Sequence, residues 1–420
     1  MKELRLIFDN EIKFLYNELG IVIPNKAAFM DRMCIKIIDD NNKWHIVYRI
    51  KAKDMKLSLV KDNRDLMRGL KIKTWNDLIL ENRDHLINIE NKSKEIISKY
   101  INIYDDYKPC VPVSGGKDSA VTHYITNLVT KETTIFSNTS NETHHTYKYI
   151  NEQYHDAIKI SPDEGFYTFV ERTGFIPTRF GRACCTVQKE SPMIQKLPKE
   201  DKLLFFMGMR KAESSNRSTY TYEWKNKRWE NRQWQGILPI LEWSDMDVLL
   251  YMLYRNIPFN YLYTIGYGRV GCVNCCFRSD YELILNKHFL EPYHNRWQLI
   301  LEKDFINNKK APTLNCTLEE YKNGAWKAGM IRDVATEQII QEFAEQQNLH
   351  IDIATKYFDK NCLCCGKKLK KDDIAATMKL YGRLVDSFKC CKCISKDFGI
   401  KPKELKLKIK SYKEQGCSLF

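Results

Sequence analysis

The spacing of apolar positions changes along the chain, and each change marks a different kind of element. In WHIVYRI (44 to 50) apolar and polar residues alternate, the period of a half-buried strand, and residues 1–72 read as an N-terminal α/β accessory region. In TWNDLILENRDHLINIENKSKEIISKYI, Leu78, Leu86, Ile89, Ile96 and Ile97 recur near helical spacing behind Thr74 and Asp77, a capping-box pair that predicts the start of a long helix. From Pro109 short apolar runs (CVPV, TTIF and LLFFMGM) are separated by amphipathic segments such as SGGKDSAVTHYITNLV. Strand, turn and helix in alternation predict an α/β fold with a parallel sheet covered on both faces. Near residue 360 the pattern gives way to cysteine and lysine. The expected divisions are 1–72, a catalytic domain over 73–310, a helical linker region over 311–358 and a basic four-cysteine module over 359–420, with no internal repeat.

Composition narrows the function classes. A chain of 420 residues has room for two or three domains. No apolar run approaches the roughly 20 residues of a membrane helix, and MKELRLIFDNEIKF carries acids and no small-residue cleavage site. A cytoplasmic protein without membrane contact is expected. Net charge is +14, and residues 362 to 420 hold 15 Lys and Arg against 6 Asp and Glu. That tail suits a polyanion, with nucleic acid the expected partner; the alternative is a solvated lysine-rich surface.

Fifteen cysteines in such a protein point to metal or redox chemistry rather than disulfides. Cys362-x2-Cys365 and Cys390-x2-Cys393 have the spacing of a four-cysteine Zn2+ site, and the glycine after Cys365 fits a knuckle whose tight turn aims amides at sulfur. Cys364 and Cys391 are the expected non-ligands. A second set joins the tandem Cys184 and Cys185 to Cys272 and Cys275 of GCVNC, after 86 intervening residues. Four thiolates suit an iron–sulfur cluster or structural zinc.

The stretch SGGKDS (114 to 119) asks for phosphate. Gly115 and Gly116 allow close backbone approach, successive amides at a helix start form an anion cradle, Lys117 adds a charge, and Ser114 and Ser119 offer hydroxyls. The adjacent glycines and the acid after the lysine set it apart from the GxxxxGK[ST] loop. Downstream, YTYEWKNKRWENRQW (220 to 234) interleaves aromatics with basic residues. It reads either as a packed β-hairpin or as a stacking surface for bases.

SGGKDS resembles the pyrophosphatase loop of the PP-loop ATP pyrophosphatase superfamily, and three further stretches resemble its branch named after phosphoadenosine phosphosulfate (PAPS) reductase. FSNTSNETHHT (136 to 146) is similar to FxDTGxxxPET, with Asn138 for the acid and Ser140 for the glycine. GMRKAESSNR (208 to 217) fits GxRxxESxxR, and PILEWSDMDVLLYMLYRNIPFNYLY (239 to 263) fits PxxxWxxxDVxxYxxxxxIPxNxLY. The resemblance covers roughly residues 75 to 300 and implies an adenine nucleotide α-hydrolase-like sheet. It places ATP phosphates on Ser114 to Ser119 and the nucleotide near Asn138 and Thr139. It adds anion contacts at Arg210 and Arg217 within a motif that includes Glu213 and Ser214. CCTVQKESPM is also similar to the CCxxRKxxPL signature of adenylyl-sulfate reductases, which favours a 4Fe-4S cluster on Cys184, Cys185, Cys272 and Cys275.

Sulfonucleotide reductases have a degenerate loop without GGKD and a nucleophilic cysteine in an ECGLH-like tail. This chain keeps GGKD, and only Cys417, in GCSLF, is reminiscent of that tail. The nearer resemblance is to the ATP pyrophosphatases of DNA phosphorothioation. It implies an enzyme that adenylates a substrate, expected to be nucleic acid, with ATP and Mg2+. Sulfur transfer would follow, with a cysteine desulfurase as a possible donor, and catalysis would fall to Lys117, Asp118 and Arg210. The alternatives are a PAPS or adenylyl-sulfate reductase, and a zinc-dependent nucleic-acid-binding protein that senses ATP.

Overall fold

The computed structural model describes residues 4–24, 26–179, 181–307, 316–328, 361–381 and 388–414. Most of the expected linker, 311–358, and Cys417 lie outside them. The chain forms two compact units: Met1–Gly165 with Gln188–Arg296, and Phe166–Val187 with Trp297–Phe420. Among the described residues no helix is long and apolar enough to cross a membrane.

The first unit opens with β1 (Leu4–Leu6), α1 (Asp9–Leu19) and strands β2 (Ala28–Asp31), β3 (Cys34–Ile38), β4 (Trp44–Lys53) and β5 (Lys56–Asp62). They form an antiparallel meander in the order β1-β2-β3-β4-β5. Its apolar face, with Ala28, Met30, Ile35, Ile37, Val47 and Ile50, packs with Leu262, Ile265 and the helix Asp280–Phe289. Buried Glu11 fastens that contact, because Arg5 donates to both its oxygens and the Tyr281 hydroxyl donates to Oε1 at 2.6 Å.

Helix α2 (Trp75–Ile103) starts where the sequence predicts: the Asp77 amide donates to Thr74 Oγ1 at 3.2 Å, and the Thr74 amide donates to the Asp77 carboxylate at 2.8 Å. It leads into β6 (Lys108–Val113), α3 (Lys117–Asn127), β7 (Thr133–Ser137), α4 (His144–Gln153) and β8 (Ile158–Ile160). Strands β9 (Leu203–Phe206), β10 (Glu223–Trp224) and β11 (Trp234–Ile237) complete a second sheet of order β10-β11-β9-β6-β7-β8. Its five neighbours from β11 to β8 are parallel, and β10 is an antiparallel edge. Successive residues of β9 serve opposite faces: Leu204 and Phe206 join the core shared with Val111, Val113 and the helix Asp245–Tyr254, while Leu203 and Phe205 join Cys110, Ile135, Trp229 and Trp234. Every residue of β9 is therefore apolar, as a strand covered on both faces requires.

The 220–234 stretch is a packed β-hairpin. Trp229 and Trp234 are buried against Phe205, and the Arg232 guanidinium donates to the carbonyls of Leu197 and Pro198 while lying 5.0 Å over the Trp234 ring.

In the second unit the C-terminal module comprises the helices Lys371–Tyr381, Cys391–Asp397 and Pro402–Glu414. They share a small core of Ala376, Ile394, Leu405 and Ile409 beside the buried sulfurs of Cys362, Cys390 and Cys393.

Candidate functional site

The chain lays β7 and β8 to one side of β6 and then returns to its other side with β9. Loops leaving β6 and β9 therefore diverge from a topological switch point, the place where open parallel sheets bind ligands. Ser114 to Gly116 fill the turn after β6. Gly115 has φ +74, and a Cβ there would lie 3.1 Å from both Asn260 Nδ2 and Thr146 Cγ2. Handedness and close neighbours both favour glycine there. From β9, Gly208 presses on the first turn of α3 so closely that a Cβ would sit 2.5 Å from the Asp118 carbonyl oxygen.

The turn is cross-braced. The Ser114 amide donates to Ser119 Oγ at 3.2 Å, Ser119 Oγ donates to the Gly116 carbonyl at 2.9 Å, and the Lys117 amide donates to the Tyr263 hydroxyl at 2.9 Å. Lys117 is 3% exposed, and its ammonium meets Asp118 Oδ2 at 3.1 Å. Asp118 Oδ1 accepts from Arg210 Nε at 2.7 Å, and Arg210 reaches Asp245 Oδ1 at 2.7 Å and the Trp243 carbonyl at 3.1 Å. Burial works to raise the Asp118 pKa, but Lys117 and Arg210 override it and hold the carboxyl below its ordinary value. Burial works against the charge on Arg210, and the Asp118 and Asp245 carboxylates more than restore it, raising its pKa. The guanidinium, 1% exposed, is thus committed to carboxylates. Arg217 stands further out: it pairs with Glu213, whose Oε2 also accepts from the Arg210 amide at 2.8 Å, and the Arg217 amide donates to Ser214 Oγ at 3.3 Å.

After β7, Asn138 Oδ1 accepts from the Ser140 amide and the Tyr147 hydroxyl, both at 2.8 Å. Ser140, standing where the resembled motif has glycine, adopts φ 55. The Thr139 hydroxyl lies 2.6 Å from Glu142 Oε1 and 3.3 Å from Cys272 Sγ. The GCVNC loop is pinned to this segment: the Val273 amide donates to the Asn141 carbonyl at 2.6 Å, and Asn274 Nδ2 donates to Asn141 Oδ1 at 3.3 Å. Buried Arg278 donates to the carbonyls of Gly271 and Cys272, both at 2.9 Å. The Cys275 thiol is lowered to about 6, first by its hydrogen bond with Cys276, against burial and with help from Arg278.

The first unit therefore brings together Ser114 to Ser119 with Arg210, and Thr139 with Cys272. Cys184 and Cys185, on the short helix Ala183–Cys185, belong to the second unit. Among the described residues, the one set of three or more metal-ligating side chains with all ligand atoms within 4.8 Å of one another is Cys362, Cys365, Cys390 and Cys393. Four sulfurs this close could hold one metal ion. Cys365 Sγ is 3.7 Å from Cys390 Sγ, the Cys390 amide donates to Cys362 Sγ at 3.2 Å, and Gly366 turns the chain at φ +69. Burial pushes the Cys362 thiol up, but amides of Cys390, Cys364 and Cys365 prevail and bring it to about 6. The Cys391 amide instead donates to Asp373 Oδ1 at 2.6 Å.

Sequence reasoning missed Asp245, Asn260, Tyr263 and Glu142. The first three lie in the PILEW stretch, whose pattern was visible although its contacts were not. Glu142, 7% exposed, carried no signal; burial raises its pKa against hydrogen bonds from Thr139 and Tyr147.

These motifs share one envelope: residues 108–277, from the first residue of β6 to just past GCVNCC, match the family described as Phosphoadenosine phosphosulfate reductase domain. The match supports the PAPS reductase-like branch of the ATP pyrophosphatase superfamily for this segment. An uncharacterized protein of Methanocaldococcus jannaschii is 30% identical over 57% of this chain and 59% of its own length. An adenosine 5'-phosphosulfate reductase of Neisseria meningitidis serogroup A is 29% identical over 29% of this chain and 45% of its own. The chain thus spans about three-fifths and less than half of these curated relatives. A crystal structure of phosphoadenylyl-sulfate reductase from Candida auris aligns with 16% identity over 45% of this chain and 94% of that one, at a TM-score of 0.35.

Proposed function

We propose that the protein is an ATP pyrophosphatase that adenylates a substrate, nucleic acid in this reading, for sulfur transfer. The observation that carries this reading is the complete SGGKDS turn at the switch point, with Lys117 and Asp118 locked to the strand end at Arg210. A substrate oxygen attacks the α-phosphorus of ATP and forms a new P–O bond, while the bond to the bridging oxygen breaks and pyrophosphate leaves with its electron pair. A sulfur nucleophile, delivered by a donor such as a cysteine desulfurase, then displaces AMP from the adenylated substrate.

The chain's own groups act mainly by position and charge. The turn from Ser114 to Ser119 and the Lys117 ammonium hold the departing phosphates. Asn138 and Thr139 line the nucleotide from the β7 side, and Arg217, with Glu213 and Ser214, takes an outer anionic group. Arg210 is a positioning residue that fixes the Asp118 carboxylate. Asp118 would hold Mg2+, which supplies charge neutralisation on pyrophosphate. Cys362, Cys365, Cys390 and Cys393 would hold Zn2+ as a folding element. Cys184, Cys185, Cys272 and Cys275 are not a ligand set that the described residues form, so no step is assigned to a 4Fe-4S cluster.

The test is release of pyrophosphate from ATP by the full chain. Release that vanishes in Lys117→Ala supports the reading, and release unaffected by that change overturns it. The match to the PAPS reductase family favours a second reading, sulfonucleotide reduction; sulfite formed from a sulfonucleotide without ATP would establish that one instead.

A further inference from the structure

We propose that the outer surface of the C-terminal module binds single-stranded nucleic acid, with Phe398, backed by Tyr381, as a stacking ring and Lys392, Lys396, Lys403 and Lys406 as phosphate contacts. The inference deepens the proposed function by giving its substrate class a docking surface. It rests on that reading only for the statement that the bound strand is also the strand modified.

The hydrophobic core of the module uses one side of each helix. Ile394 of Cys391–Asp397 and Leu405 and Ile409 of Pro402–Glu414 point inward, which leaves Lys392 and Lys396, one turn apart, and Lys403 and Lys406 exposed. Phe398, where the second helix ends, is 46% exposed, and Tyr381, where the first ends, is 38% exposed; their rings meet edge to face at 5.3 Å. Lys389 lies 5.3 Å over the Tyr381 ring, so the ring offered to a base is the more exposed Phe398. The nearby acids are already engaged. Asp397 accepts from Lys389 and Tyr381, Glu404 accepts from the Lys401 amide at 3.2 Å, and buried Asp373 accepts from the amides of Lys370 and Cys391. The surface is therefore cationic with an exposed aromatic ring at Phe398, the combination that grips a backbone and stacks on a base. A duplex keeps its bases stacked on one another, so only an unpaired strand can use both features.

The experiment is fluorescence polarisation of the full-length chain with labelled strands of about 16 nucleotides, RNA and DNA, single-stranded and duplex, and with polyglutamate, between about 50 and 200 mM salt. Single strands are expected to bind at least about tenfold tighter than duplex, Phe398→Ala to lose about tenfold on single strands only, and Phe398→Tyr to retain binding. Replacing Lys392, Lys396, Lys403 and Lys406 together by Gln is expected to reduce the slope of log affinity against log salt by about 3. Equal affinity for duplex, an unchanged slope or equal binding of polyglutamate overturns the proposal. Pyrophosphate release is read separately: its absence with single-strand binding intact refutes the catalytic reading and leaves this one standing.

Discussion

Two of the molecule's short turns, one in each unit, fold around a left-handed glycine. At Gly115 the chain passes from β6 into α3; at Gly366 it closes the Cys362–Cys365 knuckle. Both gather backbone amides where negative charge belongs. In the knuckle the charge is part of the chain, so the Cys390 amide rests on Cys362 Sγ. In the phosphate-type turn the partners of the amides are a serine and a tyrosine hydroxyl, and the Gly116 amide reaches Ser114 Oγ only at 3.4 Å. A long hydrogen bond to a rotatable hydroxyl is a weak one that a phosphate oxygen can replace. On the proposed function, the difference separates a turn that keeps its anion from one that exchanges it.

Removing metal breaks the comparison most sharply. If zinc holds the knuckle, its binding energy is folding energy, of order 10 kcal/mol or more in small zinc domains. A chelator should therefore abolish amide protection across 361–414 while protection across 108–127 stays unchanged. Hydrogen exchange with and without chelator, beside a metal assay, decides it; protection in 361–414 that survives metal removal refutes it.

Arg210→Gln strikes the other turn. It leaves Asp118 and Asp245 without their shared buried partner, and breaking such a pair costs about 3–5 kcal/mol. The pH dependence has a definite sign. The Asp118 pKa is lowered in the folded protein, so its contribution is present at neutral pH and lost as pH falls through that lowered value. Without Arg210 one counter-charge is gone and burial prevails, so acid unfolding should begin at higher pH. Denaturant melts of both proteins between about pH 4 and 7 would show it. Coincident acid limbs would mean that Lys117 alone sets the charge of Asp118.

The glycines themselves give an intermediate effect. Gly366→Ala meets nothing within 4 Å and should cost only the left-handed penalty, about 1–2 kcal/mol. Gly115→Ala adds contact with Asn260 and Thr146 at 3.1 Å, an overpacking cost of about 1–3 kcal/mol. Equal losses in chemical denaturation would show that Asn260 and Thr146 yield freely.

Much of this was legible in the sequence because it is local. The capping box at Thr74, the apolar runs of β6, β7 and β9, and the paired CxxC spacing each depend on residues within a turn or two. What was not legible is convergence. Asp118 and Arg210 are 92 positions apart, Arg210 and Asp245 are 35, and Lys117 and Tyr263 are 146. The family resemblance therefore implied an anion contact for Arg210, whose guanidinium the fold turns toward two carboxylates. The 220–234 stretch shows the same limit. Its mixture of aromatics and basic residues fits a nucleic-acid surface as well as a hairpin, and only the place of β11 beside β9 puts Trp234 inside.

The smallest effect tests the third tight turn, after β7, where Ser140 holds φ 55. A non-glycine residue in that region costs about 1–2 kcal/mol, yet the Ser140 hydroxyl recovers part of it by donating to the Thr139 carbonyl at 2.7 Å, worth about 1 kcal/mol. Ser140→Gly removes the strain and the hydrogen bond together and adds chain entropy to the unfolded state, so the change should stay within about 0.5 kcal/mol. Ser140→Val keeps the strain, adds a β-branch and loses the bond, and should cost about 2 kcal/mol. If both variants melt like the parent, the left-handed geometry at 140 contributes nothing to the register of Asn138 and Thr139. Those two residues would then owe their placement to their other hydrogen bonds, with Ser161, Tyr147 and Glu142.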